Sequence, residues 1–144
     1  MAVQVDVYNH FIAMVGNADM DLGAGTFKMA LVTSSYTYSA AHTQWSDASA
    51  NEISGTGYTT GGETITSLAA TQTGGAFKWD FDNVLWSTAT LTCRRGILRL
   101  TGSHGGLTDP LAMSILFNDA PADVSVTATD FQVNIHADGA ITIS

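Results

Sequence analysis

Large aromatic residues alternate with charged residues in the segment Phe77–Asp82, and this pattern constrains the fold more than any other part of the chain. Successive side chains of a β-strand point to opposite faces, so Phe77, Trp79 and Phe81 are expected to share one face. The other face then carries only charged side chains: Lys78, Asp80 and Asp82. One buried face and one solvated face are typical of antiparallel sheets, so the segment predicts an antiparallel β protein.

The composition also favours β-structure. Of the 144 residues, 45% are hydrophobic and only 12% are charged, which is about half the usual charged share. Hydroxyl groups supply the polar surface, from 19 threonines and 12 serines. Threonine favours strands because its branched Cβ fits a pleated surface. A chain of this length can bury its own core. We therefore expect one domain over residues 1–144, in which residues 1–5 form a free arm or an added strand.

The first predicted element is an amphipathic helix over Val7–Val15. Asp6 is suited to cap its start, and Gly16-Asn17 to end it. Four apolar residues recur at helical spacing and define the face that would cover one end of a sheet: Tyr8, Phe11, Ile12 and Val15.

Strand patterns separated by turn signals continue from there to the end of the chain. The predicted strands are Thr26–Val32, Glu63–Leu68, Phe77–Asp82, Val84–Trp86, Thr90–Cys93, Gly96–Thr101, Leu111–Phe117, Val124–Thr127, Phe131–Ile135 and Ala140–Ile143. Asp138-Gly139 predicts a hairpin turn that joins the last two strands. Many short strands after one leading helix indicate an all-β fold, either an antiparallel β-sandwich or a barrel.

Residue patterns typical of enzymes are sparse. The four histidines (His10, His42, His104 and His136) lack the spacing of zinc ligands. His104 could act as a general base in a glycine-rich loop. Asp80 and Asp82 could form a catalytic pair or share a cation, although charges on the wet face of a sheet explain them more simply. We predict no enzyme activity, no cofactor and no metal site, and we expect Cys93 to be a buried structural thiol.

The formal net charge is −8, and only five residues are Lys or Arg. Such an acidic chain repels phosphate backbones, so we predict that it binds neither nucleic acid nor an anionic membrane. Three of the five cations lie close together, at Arg94, Arg95 and Arg99. They are either exposed ends on one strand or a patch for an acidic partner surface.

Four motifs together resemble a family of tailed-bacteriophage virion proteins that includes capsid cement (decoration) proteins. These motifs are TFKMALVTSS (26–35), NEISGTGYTTGGETIT (51–66), FKWDFDNVLW (77–86) and FQVNIHADGAI (131–141). The resemblance covers nearly the whole chain. It implies a jelly-roll-like β-sandwich on the outside of an icosahedral shell, made in the host cytoplasm. There it would bridge neighbouring major capsid subunits against the pressure of packaged DNA, and a homodimer or homotrimer is expected.

Aromatic and arginine side chains often dominate interfaces, and this guides the choice of partner-binding residues. We predict that the capsid is contacted by Ala2, Val3, Val5, Tyr36, Tyr38, Trp45, Arg94 and Arg95. Tyr38 and Trp45 could instead only pack their loop onto the sandwich. The alternative function is a tail- or head-fibre module that recognises a host surface glycan, and an enzyme that degrades host polysaccharide ranks third.

Overall fold

A computed structural model of the chain describes residues 3–118, 120 and 122–143. It is all-β, with one short helix, α1 (Phe11–Gly16), and two single 3₁₀ turns at Trp45–Asp47 and Ser49–Asn51. The strands are β1 (Gln4–Val7), β2 (Phe27–Val32), β3 (Glu63–Thr64), β4 (Ala69–Thr73), β5 (Ala76–Asp80), β6 (Val84–Cys93), β7 (Arg95–Leu100), β8 (Ser103–His104), β9 (Leu107–Thr108), β10 (Leu111–Leu116), β11 (Val124–Val133) and β12 (Ile141–Ile143).

The strands pair antiparallel in a sandwich-like arrangement. One sheet has five strands in the order β1-β10-β7-β2-β3. The others are β12-β5-β4, the pair β11-β6 and the small hairpin β8-β9. Antiparallel pairing confirms the coarse fold class that was predicted from the alternation in Phe77–Asp82.

The main core lies between the inner face of the five-stranded sheet and the aromatic residues of the other strands. Phe27, Met29 and Leu31 point inward from β2, as the alternation of that segment predicted, and all three are fully buried. The ring centroids of Phe27 and Trp79 are 5.1 Å apart in an edge-on arrangement. The Trp79 Nε1–H donates to the Leu22 carbonyl oxygen at 2.9 Å, so this buried indole is satisfied.

The outer face of the same sheet is also covered, by the connection that runs from residue 33 to residue 51. Its Tyr36 and Ala48 pack with Val32, Ile97 and other residues of the sheet in a second apolar cluster. The connection is rich in Ser, Ala and aromatic residues. Its aromatic residues explain why it can fold back onto the sheet and cover it.

The glycine-rich motif after this connection, residues 55–62, is held against β2 by hydrogen bonds. The Glu52 carboxylate accepts hydrogen bonds from the Tyr58 hydroxyl at 2.7 Å and from the Gly61 N–H at 2.6 Å. The Tyr58 hydroxyl also accepts the Leu31 N–H at 3.1 Å, which ties the motif to β2. Gly62 lies against the backbone of Met29 at a φ of +81°. Positive φ and close backbone contact are both conditions that favour glycine.

The N-terminal helix is shorter than predicted, and its predicted cap is wrong. Residues up to Val7 belong to β1, which pairs with β10, and the helix begins only at Phe11. Asp6 does not cap the helix, because its carboxylate pairs with Arg95. Ile12 was predicted on the buried face but is 53% exposed. For residues 4 and 5 the structure therefore supports the added strand rather than the free arm.

Several predicted strand boundaries change because of long-range pairing. Val84–Trp86 and Thr90–Cys93 belong to one strand, β6. The predicted strands Val124–Thr127 and Phe131–Ile135 likewise merge into β11, which ends at Val133. Positive φ values at Thr88 and Ala128 allow these long strands to kink without ending. Only the first two residues of the predicted strand Glu63–Leu68 pair with β2, and the chain then leaves that sheet.

The predicted C-terminal hairpin is wrong, although its turn is present. Gly139 has a φ of +94°, as a tight turn at Asp138-Gly139 requires. However, β12 pairs with β5, placing Ile141 opposite Trp79, while β11 pairs with β6. Asp138-Gly139 correctly predicts a turn, but the turn does not determine which strand the chain pairs with after it.

His10, which precedes α1, is expected to make the protein less stable in mildly acidic solution. Neither ring nitrogen has a well-aligned hydrogen bond within the described part of the chain. Burial lowers the pKa of His10, although the backbone of Leu111 and the charge of Asp47 partly oppose this effect. The unfolded chain then binds a proton near pH 6.5 while the folded chain does not.

Stability from this histidine is therefore present above about pH 6.5 and is lost as the pH falls toward the lowered pKa of the folded state. The expected result is a declining midpoint of urea unfolding below that pH, and a smaller decline in His10→Phe, which cannot be protonated. An identical pH dependence of the two proteins would contradict the assignment.

Candidate interaction surface at the first strand

Most of the residues predicted to bind a partner lie around one edge of the five-stranded sheet. Val3 and Val5 are on the inner side of that edge, where they line an apolar groove. Tyr38, Arg94 and Arg95 are on the outer side, where they line a smaller cavity. We call this the β1 surface, defined by Val3, Val5, Tyr38, Arg94 and Arg95. Ala2 lies outside the described residues.

The apolar groove is the open side of the sandwich, between β1 and β10 in one layer and the chain from 131 to 140 in the other. Its volume is about 430 Å³, which is within the range of sites that hold ligands or side chains. Val3 is 57% exposed and Val5 is 45% exposed, although both carry apolar side chains. The wall opposite them is also apolar, with contributions from Phe131, Val133 and Ile135.

Arg95 is held tightly by residues of its own chain. Its Nη1 contacts the Asp6 carboxylate at 2.7 Å and the Ser114 hydroxyl at 3.1 Å, and both side chains of the ion pair are mostly buried. The guanidinium carbon lies 5.4 Å from the centre of the Tyr38 ring, a distance at which a cation and an aromatic face attract. Arg95 therefore stabilises the β1 surface, and little of its side chain is exposed there.

Arg94 is the more accessible arginine of the pair. Its Nε contacts the Asp123 carboxylate at 2.8 Å, and the two side chains are 22% and 39% exposed. It borders the outer cavity of about 280 Å³ together with Ser34, Thr37 and Tyr38. The cavity thus combines hydroxyl groups with a guanidinium that presents further N–H donors. Such a set can bind a carboxylate or a carbonyl oxygen of a partner.

Tyr38 closes one end of the surface. Its hydroxyl donates to the Val7 carbonyl oxygen at 2.9 Å, and its ring packs on Tyr8 with 5.3 Å between ring centroids. Tyr38 is half-buried. It packs the loop onto the sheet and still lines the cavity, so the two predicted roles coexist.

Tyr36 and Trp45 are placed differently from the other predicted residues. Tyr36 is buried, and its hydroxyl bonds to the Tyr8 hydroxyl at 2.8 Å and to His42 Nδ1 at 2.9 Å. Burial also raises the pKa of Tyr36. Trp45 is half-buried, and the Arg99 guanidinium carbon lies 4.7 Å from its ring centre. Both hold the loop against the sheet. Tyr36 also lines the outer cavity with Tyr38, Arg94 and Arg95, but its burial leaves little of it for a partner to contact.

The other residues that were candidates for catalysis or metal binding make structural contacts. Asp80 pairs with Lys78 at 3.2 Å, whereas Asp82 accepts hydrogen bonds from Thr66 and Ser67. His104 Nε2 lies 2.9 Å from the Thr101 carbonyl oxygen. Within the ranges that the structure describes, no three His, Cys, Asp or Glu side chains are grouped to hold a metal ion.

Cys93 is buried, as expected, and burial raises the pKa of its thiol to about 12. It therefore stays protonated and unreactive at neutral pH.

Two components of the surface were not anticipated from the sequence. The sequence pattern predicts Asp6 as a helix cap, whereas it is the ion-pair partner of Arg95. The same kind of pattern predicts a hairpin for the groove wall from 131 to 140. The available signal was the alternation of Val3, Val5 and Val7 with Gln4 and Asp6, which is typical of a strand with one apolar face.

We compared the chain with protein-family models, curated proteins and solved structures, and found no match in any of the three. None of the described helices is long and apolar enough to cross a membrane.

Proposed function

We propose that this chain is a structural virion protein that binds the outer surface of an icosahedral phage capsid and cements neighbouring major capsid subunits. The fold proposed for it is a jelly-roll-like sandwich. Pairing between distant strands, such as β1 with β10 and β6 with β11, is compatible with that topology. The resemblance of the four motifs to phage virion proteins motivates the proposal.

The single observation that most supports an adhesive role is the β1 surface. It places exposed valines on the inner side of a sheet edge and a cavity lined by Arg94 and Tyr38 on its outer side. Interfaces commonly combine apolar residues with a few aromatic and arginine residues. An edge that offers both kinds of contact is therefore suited to a protein partner.

Weak individual contacts are sufficient for such a role. A shell presents the same binding site many times, so many copies that each bury a modest area can stabilise it together. The low charged share of the chain, 12%, is suited to wide contacts in which few charges must be desolvated.

Co-sedimentation with purified shells that lack the protein tests this proposal. The changes are Arg94→Ala with Arg95→Ala, and, separately, deletion of residues 1–5. We expect each to raise the dissociation constant for the shell by at least about tenfold, which corresponds to about 1.4 kcal/mol of binding free energy. Lys78→Ala is the matched control, because it also breaks a partly exposed ion pair, with Asp80, at 3.2 Å.

Full occupancy by both altered proteins would refute the assignment of the surface. Failure of the unaltered protein to bind any shell would refute the function itself.

A glycan-recognising fibre module remains the second candidate, because one feature favours it. A polar groove of about 430 Å³ is lined largely by hydroxyl side chains together with Glu52: Thr33, Ser54, Thr90, Thr92, Ser125 and Thr127. The number of copies per virion distinguishes the two functions. Hundreds of copies, one for every few capsid subunits, support cement, whereas a few to some dozens support a fibre.

A further inference from the structure

The outer edge of β1 is an open hydrogen-bonding edge at Val3 and Val5. Among the described strands, β1 pairs only with β10. The Tyr8 N–H points toward β10, where it donates to the Ala112 carbonyl oxygen at 3.4 Å. Backbone groups alternate in direction along an antiparallel strand, so those of Val3, Val5 and Val7 point away from β10. The Val7 carbonyl is already bonded to Tyr38, which leaves Val3 to Val5 open.

From Val3 to Val5 this edge lacks the charged side chains, prolines and bulges that usually keep strands from pairing with other molecules. Proteins protect sheet edges with lysine, proline, bulges or very short strands. Between Val3 and Val7 the sequence holds neither lysine nor proline, and the pairing of β1 with β10 is regular from Gln4 to Val7. Its one charged residue, Asp6, turns back to Arg95. The opposite edge of the same sheet is β3, which is only two residues long.

The open segment is self-complementary. Read in either direction it is Val-Gln-Val, at residues 3 to 5. A two-fold axis through Gln4 would place Val3 of one copy opposite Val5 of the other, in register for mutual backbone hydrogen bonds. The valines, 57% and 45% exposed in the single chain, would then cover each other on the side of the apolar groove.

We propose that a second copy of this chain covers the β1 edge, and that the two five-stranded sheets join into one continuous sheet about a two-fold axis at Gln4. A second copy fits better than an unrelated strand for two reasons. The Tyr38 hydroxyl bonds to the Val7 carbonyl, so among the described residues the open part of the edge is Val3 to Val5, which reads the same in both directions. The edge also carries no unpaired charge that would select a charged partner.

The net charge of each copy predicts how the dimer responds to salt. Two chains of charge −8 repel each other, and this repulsion is screened over about 8 Å at physiological ionic strength. Dimerisation is therefore expected to strengthen as the salt concentration rises, which is opposite to association through ion pairs.

If the proposed capsid function also holds, the dimer presents two Arg94 cavities and can bridge two capsid subunits. Only this consequence rests on the proposed function; dimerisation itself does not. Arg94→Ala would then weaken shell binding and leave the dimer intact, so failure of one proposal can be told from failure of the other.

Sedimentation equilibrium of the full chain, at low and high sodium chloride, tests the dimer. We expect Val5→Lys to raise the dimer dissociation constant by at least about tenfold, because a lysine at this position must be desolvated in the interface. Leu85→Lys is the matched control, since Leu85 is 44% exposed and also lies on a strand. It should leave the dissociation constant unchanged.

A cysteine cross-link supplies an independent test that does not depend on the stability of Val5→Lys. Opposite residues of a non-hydrogen-bonded pair have Cα atoms about 4.5 Å apart, which is within the range for a disulfide. Gln4→Cys should therefore oxidise to a covalent dimer, whereas Leu85→Cys should not. A chain that stays monomeric at every salt concentration, or equal cross-linking at the two positions, would overturn the proposal.

Discussion

Gly62→Ala is expected to lower the free energy of unfolding by about 4 kcal/mol, from backbone strain and overpacking together. A Cβ atom at this position would lie 2.0 Å from the Met29 carbonyl oxygen and 2.6 Å from the Ala30 Cα. Both are backbone atoms of β2, which is hydrogen-bonded on both sides. Neither can move aside without disturbing the central part of the sheet.

Gly74→Ala is the matched control for this prediction. Gly74 also has a positive φ, +59°, but a Cβ there would meet nothing within 4 Å. It should cost only about 1 kcal/mol, the penalty of a left-handed conformation for an L-residue. Urea unfolding of the two variants gives the comparison, and equal losses would show that backbone conformation, rather than the contact with β2, requires glycine at position 62.

Arg99→Ala is expected to destabilise the protein by about 3 kcal/mol, because it removes a buried guanidinium and leaves a partly buried carboxylate without its partner. Only 5% of the Arg99 side chain is exposed, and its Nη1 lies 3.3 Å from the Asp109 carboxylate. Its Nη2 also donates to the Gly61 carbonyl oxygen at 2.8 Å. The substitution removes both contacts, and Trp45 loses the guanidinium that covers its ring.

Arg94→Ala is the matched control here, because its ion pair with Asp123 is more exposed. Pairs of that kind contribute about 1 kcal/mol or less. Arg99→Lys should fall between the two, since it keeps the charge but loses the planar stacking on Trp45. Thermal unfolding of the three variants tests the order, and an Arg99→Ala protein as stable as Arg94→Ala would contradict the structural role of Arg99.

Local alternation predicted the parts of the fold that depend on neighbouring residues. Phe27, Met29 and Leu31 share the inward face of β2, and Trp79 and Phe81 are buried, as their alternation with Lys78, Asp80 and Asp82 indicates. Alternation decides which face is apolar, and the chain can satisfy it before any distant segment arrives. For this reason the fold class and many strands were predictable.

Pairing between distant segments could not be predicted in the same way. Asp6 precedes an amphipathic pattern and looks like a helix cap, but its partner Arg95 is 89 positions away. The Asp138-Gly139 turn is real, yet β12 joins β5 rather than the preceding strand. These contacts depend on strand order, which hydrophobic periodicity does not encode.

The same reason separates the predicted site residues that lie at the surface from those that are buried. The sequence identified the arginines and aromatics as the residues with interaction potential, and the structure gathers Val3, Val5, Tyr38, Arg94 and Arg95 at one edge. It could not show that Tyr36 is buried against Tyr8 or that Trp45 lies against Arg99. Exposure depends on how the 33–51 connection lies on the sheet.

The 33–51 connection covers the outer face of the five-stranded sheet, and the main core covers the inner face. The middle strands of this sheet should therefore tolerate substitution differently from the rest of the chain. On β2 and β7 almost every side chain is enclosed, inward or outward. By contrast, about every second position of β6 and most positions of β11 face water. In a mutational scan, substitutions should therefore be tolerated at these exposed positions of β6 and β11 and at almost none in β2 and β7.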